Sequence, residues 1–115
     1  MSIASNLAAV RERIAAAEAK AGRTAGSVRL LAVSKTFPAE DVRAAFDAGQ
    51  SMFGENRVQE LIAKVPALPP EIEWHLIGQL QTNKVAKAVE FADWIHSIDS
   101  ERLARRIASV AAASR

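Results

Sequence analysis

The chain has no cysteine and no tyrosine among its 115 residues. Without cysteine there is no disulfide framework, no thiolate metal site and no thiol nucleophile. Aromatic residues make up only 5% of the sequence, and none is interleaved with the basic residues Lys84, Lys87, Arg102, Arg105 and Arg106. Those cations therefore read as solvated helical faces rather than as a base-stacking nucleic-acid surface. Charge of one sign is also lacking: 15 Lys and Arg face 13 Asp and Glu, a formal charge of +2, which gives little attraction for a polyanion. The five glycines never approach a G-x-G-x-x-G or Walker pattern, so no glycine-rich phosphate loop is present. His75 and His96 lack the paired spacing of a metal site, and no carboxylate falls at a ligand offset from either. No apolar run nears the roughly 18 residues of a membrane span, and no basic segment leads into an apolar one at the N-terminus, so the expected setting is the cytoplasm.

What is present describes an ordinary globular chain, 50% hydrophobic and 24% charged. Its length suits one domain with one modest core. Ile3, Leu7, Val10, Ile14, Ala17 and Ala21 recur at steps of three and four, predicting an amphipathic helix over Ser2 to Ala21, closed near Gly22. "VRLLAVSK" follows as a strand expected to be buried on both faces. Pro38 to Ala48 then reads as a helix, with Pro38 in its first turn, Glu40 and Asp41 complementing the dipole, and Gly49 as the stop.

The pattern recurs. "SMFGEN" reads as a strand, and Val58, Leu61, Ile62 and Val65 mark a helix ending at Pro66. "LPPEIEWHLIG" is a stiff loop entering a third strand, and from Thr82 a helix carries Val85 and Val89. "ADWIHSID" supplies a fourth strand, and Ser100 caps a helix bearing Leu103, Ile107 and Val110. Trp74 and Trp94, both in strands, are expected to fill core. A leading helix followed by four strand-helix pairs predicts an α/β protein with a parallel sheet, either an open doubly wound sheet or part of a (β/α)8 barrel.

Each predicted strand ends in hydrogen-bonding or reactive side chains: Ser34 and Lys35; Glu55, Asn56 and Arg57; His75, Gly78 and Gln79; His96, Ser97 and Asp99. In barrels and open α/β sheets alike, ligands bind at these C-terminal strand ends. Alternation places Lys35 on the face of Leu31 and Val33. If that face lines a barrel interior, the ammonium ends among apolar groups, and a desolvated amine is a nucleophile suited to a Schiff base with an aldehyde. Spacing alone also accommodates a lysine that snorkels from a strand end into water.

The stretches "LLAVSKTFP", "FGENRVQE" and "EWHLIGQLQTNK", in that order and each at a strand-to-helix junction, resemble the pyridoxal phosphate homeostasis proteins, a family that binds pyridoxal 5'-phosphate (PLP). The likeness runs over essentially all 115 residues, ending with "HSIDS". It implies that Lys35 forms the internal aldimine with PLP. It further implies the N-terminal half of a (β/α)8 TIM barrel similar to the N-terminal domain of alanine racemase. The resemblance places Asn56 beside the cofactor ring, His75 near the pyridine face, and Ser97 as a ring or phosphate neighbour. On residue type alone, Asn56 also reads as a helix N-cap, His75 as a satisfied core histidine, and Ser97 as a loop hydroxyl.

A full barrel needs about 250 residues, and this chain supplies four strands. Residues 1–115 are therefore expected to be a single partial domain, without the later loops that would grip the PLP phosphate, and prone to self-association through bare strand edges. The function implied is non-catalytic PLP binding in vitamin B6 homeostasis. The alternative is a racemase-like enzyme acting on amino acids, whose chemistry wants a second base, commonly a tyrosine, that this chain lacks. An aldolase-type lysine and an inert half-barrel complete the set.

Overall fold

The computed structural model describes residues 2–114. Along them run α1 (Ile3–Lys20), β1 (Ala32–Val33), α2 (Ala39–Asp47), β2 (Met52–Glu55), α3 (Val58–Lys64), β3 (Glu73–Leu76), α4 (Val85–Phe91), β4 (Trp94–Ile95) and α5 (Glu101–Ser114). Single 3-10 turns, Val65–Ala67 and Thr82–Lys84, extend α3 and precede α4. The strands form one parallel sheet in chain order, β1-β2-β3-β4. The α/β alternation with a parallel sheet agrees with the sequence.

Helix boundaries follow local chemistry. Ser2 and Ser5 exchange side-chain and backbone hydrogen bonds of 3.0 and 3.1 Å in a capping box at the start of α1. At the end of α2, Gly49 adopts φ +98 while its N–H reaches the Phe46 carbonyl and that of Gln50 reaches Ala45, a Schellman closure that glycine permits. Ser100 Oγ accepts the Leu103 N–H at 3.1 Å, the cap expected for α5. Pro38 sits one residue before α2, at its N-cap.

Side-chain alternation gives the sheet two unlike faces. Phe53, Glu55, Trp74 and Leu76 point to one side and are all buried, with α3 packed against β2 and β3. Leu61, Val85, Ala88, Val89 and Leu103 from the helices complete this core, and the Phe53 and Trp74 rings meet at 5.9 Å. On the other side the register lines up Val33, Gly54, His75 and Trp94 in one row. Nothing covers the ends of that row: Val33 is 49% exposed and Trp94 56%.

Two expectations are corrected here. The first strand is not buried on both faces, because β1 is an edge strand whose Val33 lies on the open side. Trp94, expected in the core, lies on the same open side of the other edge strand, whereas Trp74 is in the core as expected.

Candidate functional site

Parallel pairing continues one residue past each strand. The Ser34 N–H donates to the Gly54 carbonyl (2.9 Å), that of Ile77 to Glu55 (2.9 Å) and that of His96 to Leu76 (3.0 Å). These bonds align the C-terminal strand ends along one edge: the register carries Lys35 and Asn56 into line with Ile77 and His96, with Gly78 and Ser97 one residue beyond. His75 lies two residues inside that line.

Lys35 follows Ser34 in a turn and is exposed, with no ion pair among the described residues. The apolar surroundings expected of a barrel interior are not provided by these residues. Thr36, next in the chain, is held at φ +67, a left-handed conformation unfavourable for a β-branched residue. Its Oγ1 donates to the Lys35 carbonyl at 2.5 Å. Asn56 is exposed and caps nothing, since Arg57 occupies the N-cap of α3 without a side-chain bond. Asn56 instead lies against Gly78, and it contributes to a cleft of about 260 Å³ shared with Arg57, Gln79, Gln81 and Lys84. Ser97 Oγ donates to the Ile77 carbonyl at 2.9 Å, tying β4 to β3.

His75 is buried, with both ring nitrogens engaged: Nε2 lies 2.7 Å from Glu73 Oε2 and Nδ1 2.8 Å from His96 Nε2. The bond from His75 holds the Glu73 carboxyl below its usual range, aided by the Arg29 guanidinium 3.4 Å away. An ionised Glu73 only accepts, so His75 donates to it from Nε2, and a second hydrogen bond joins His75 Nδ1 to His96 Nε2. The indole of Trp94 stacks parallel to the His75 ring at 5.8 Å. No hydrogen bond among the described residues joins the side chains of Lys35, Asn56, His75 and Ser97 to one another; what they share is the edge.

A second cluster, which sequence reasoning missed, lies under that edge on the helix-covered side. Glu55 is fully buried; its Oε2 accepts a short bond from Ser34 Oγ and one of 2.9 Å from Lys64 Nζ. Lys64 is 7% exposed and also donates to the Ser34 carbonyl at 2.9 Å. Glu60 Oε2 lies 3.6 Å from the same ammonium and accepts the Thr36 N–H at 3.0 Å. Burial pushes the Glu55 carboxyl up despite the bonds from Ser34 and Lys64, and the neighbouring Glu60 carboxyl pushes it further. Glu60 is held low, first by the Thr36 N–H. The sequence signal was the pair of acidic residues within "GENRVQE", Glu55 and Glu60, with a lysine one helical turn beyond the second.

Of the basic residues on the later helices, Lys87 pairs with Glu90 at 3.5 Å and Arg105 with Glu101, all four side chains exposed. Among the described residues no cluster of three or more His, Asp or Glu could hold a metal ion, and no helix is long and apolar enough to cross a membrane.

The fold and this edge define a parallel βα-repeat protein with an unpaired lysine at the end of its first strand. No family model matches the chain. The pyridoxal phosphate homeostasis protein of Escherichia coli (strain K12) is 48% identical over 109 residues, 91% of this chain and 47% of that protein. The protein of the same name from Vibrio cholerae is 45% identical over 113 residues, 92% of this chain and 47% of its own. The structure of PipY from Synechococcus elongatus PCC7942 with PLP bound superposes with a TM-score of 0.81 at 48% identity, over 97% of this chain and 49% of PipY. The crystal structure of an unknown protein from Bifidobacterium adolescentis reaches a TM-score of 0.90 at 45% identity, over 96% of this chain and 50% of its own. The chain is similar to pyridoxal phosphate homeostasis proteins along more than nine-tenths of its own length, and it spans about half the length of the curated relatives it matches.

Proposed function

We propose that this chain binds PLP through Lys35 and keeps the cofactor available in the cytoplasm, rather than catalysing a reaction on an amino acid. The observation that carries the reading is the likeness to PipY, solved with PLP bound, at 48% identity over 97% of this chain. Chemical fit supports it from within. Bound there, PLP supplies an aldehyde, whose natural partner is a primary amine. Lys35 offers an exposed amine without a carboxylate partner, on a backbone pinned at both neighbours. Gly54, between Val33 and His75 in the open row, has no side chain of its own and lies under the side chains of Ile77 and Leu31. The imidazole of His75, next to Gly54 in that row, is immobilised by Glu73, His96 and Trp94.

In this reading Asn56 offers an amide to polar ring substituents. Ser97, already donating to Ile77, offers the lone pairs of its hydroxyl. The sheet is the N-terminal half of a (β/α)8 barrel, and the open row is its interior. The phosphate is then gripped by the part of the family's length that this chain does not span. A homeostatic role is supported by the names of the relatives, and the absence of tyrosine leaves the usual second base of a racemase unfilled within this chain.

The test is to incubate the protein with PLP, reduce with borohydride and map the modified residue by mass spectrometry. Label at Lys35, abolished in K35A with far-UV circular dichroism intact, is the expected result. Label confined to surface lysines such as Lys20 or Lys87 would overturn it. Deuterium exchange at the α-carbon of alanine, if found, would refute the non-catalytic assignment.

A further inference from the structure

The cluster under the strand edge touches the residue before Lys35 and the residue after it. Lys64 binds the carbonyl of Ser34 (2.9 Å), Glu55 binds its hydroxyl, and Glu60 binds the N–H of Thr36 (3.0 Å). The first two contacts come from buried groups, and the third fixes a residue at φ +67. A strained, β-branched left-handed residue persists only where its surroundings over-determine it. Here the surroundings are two charge-assisted hydrogen bonds from one helix, α3, at positions 60 and 64. Packing one buried and one half-buried carboxyl against one ammonium would be costly if all three were ionised. Glu55 Oε1 is buried with no donor facing it, while Glu60 is its carboxyl neighbour. Burial favours the protonated form of Glu55, and the Lys64 ammonium lies against both carboxyls. From β3, Glu55 meets only apolar Leu76 in register.

We infer that Glu55, Glu60 and Lys64 form a clamp that sets the backbone of Ser34 to Thr36, making Lys64 and Glu60 positioning residues for the Lys35 amine. The role deepens the PLP-binding reading and rests on it for its consequence, but the clamp itself acts in the protein without cofactor. Lys64 and Glu60 act through the backbone; neither needs to touch the cofactor.

Two variants separate clamp from fold. E60Q removes the charge that binds the Thr36 N–H at a half-buried position, and K64M removes the ammonium while keeping the length of its apolar stem. In the cofactor-free protein, amide hydrogen exchange at Thr36 is expected to accelerate about tenfold or more in each, with exchange in β2 and β3 unchanged, because a charge-assisted bond is lost locally. With PLP, borohydride trapping at Lys35 at limiting cofactor should fall by about tenfold in K64M and recover partly in K64R. Unchanged Thr36 exchange in E60Q refutes the clamp whatever K64M does, including failure to fold. Faster Thr36 exchange with undiminished Lys35 trapping refutes the positioning role. If the unmodified chain is not trapped at Lys35 at all, the PLP reading fails, and the exchange measurement alone decides the clamp.

Discussion

Replacing Gly78 by alanine tests how the third strand end meets the second. A Cβ on Gly78 would lie 2.1 Å from the Asn56 carbonyl oxygen, 2.9 Å from its carbon and 2.7 Å from its Oδ1. Favourable carbon contacts lie at about 3.5–4.0 Å, so the shortfall exceeds an ångström, and two of the three atoms are backbone that no rotamer change can move. Overpacking costs typically about 1–3 kcal/mol, and the backbone clash puts G78A at the upper end, about 3 kcal/mol. Gly54 provides the control: its added Cβ would meet only side-chain ends, Ile77 Cδ1 at 3.3 Å, Ile77 Cγ2 at 3.4 Å and Leu31 Cδ2 at 3.6 Å. G54A should therefore cost less than about 1 kcal/mol. Urea unfolding followed by circular dichroism reads the difference, since a slope of about 1–3 kcal/mol/M turns 3 kcal/mol into a midpoint shift of at least about 1 M. A G78A midpoint no lower than that of G54A would refute the close approach of Asn56 to Gly78.

Leu61 is fully buried between α3 and the sheet, and L61A should cost about 2–5 kcal/mol by the same assay. Glu18, Glu60 and Glu73 are each held below the ordinary value of 4.5, chiefly by bonds from the Val28 N–H, the Thr36 N–H and His75 respectively. Their stabilisation is complete above about 4.5 and disappears as pH falls through the lowered folded values, so urea midpoints should drop on acidification, less steeply in E73Q. Glu55, raised by burial, acts oppositely: its contribution is present below the ordinary value and lost as pH rises through the raised one, so E55Q should gain relative to the parent as pH rises above 4.5. With β1 and β4 as bare edges and Val33, Phe37, Trp94 and Ile98 exposed, the 115-residue chain should self-associate. A concentration-independent monomer in sedimentation would contradict that.

Sequence reasoning located elements where the signal is local. Pro38, Gly49 and Ser100 each act within a turn of themselves, and the helices they bound lie within a residue or two of expectation. Strand extent is not local. "VRLLAVSK" has the composition of a long strand, yet only Ala32–Val33 pair, because an edge strand is defined by the reach of its single neighbour and the chain turns at Thr36. Trp94 shows the same limit, since hydrophobicity says a side chain prefers burial but not which face of a sheet receives cover. The polar clusters were legible only as inventories. Glu55 and Lys64 meet because α3 folds back over β2, and His75 and His96 because the register brings neighbouring strand ends together. Neither pairing is a spacing that one helix or one strand imposes.

The order of the sheet has a consequence for how the chain finds its structure. Strand partners lie 21, 21 and 19 residues apart in sequence, as Ala32 with Phe53, Phe53 with Trp74 and His75 with Trp94 show. Every crossover closes a loop of nearly equal and modest size, so the entropy lost on adding a strand is almost constant and depends little on what has formed elsewhere. Assembly can thus nucleate at β2 and β3, which share the longest pairing, and grow outward one unit at a time. The same additivity lets a sheet of this kind be lengthened by repetition during evolution without rewiring the contacts already in place.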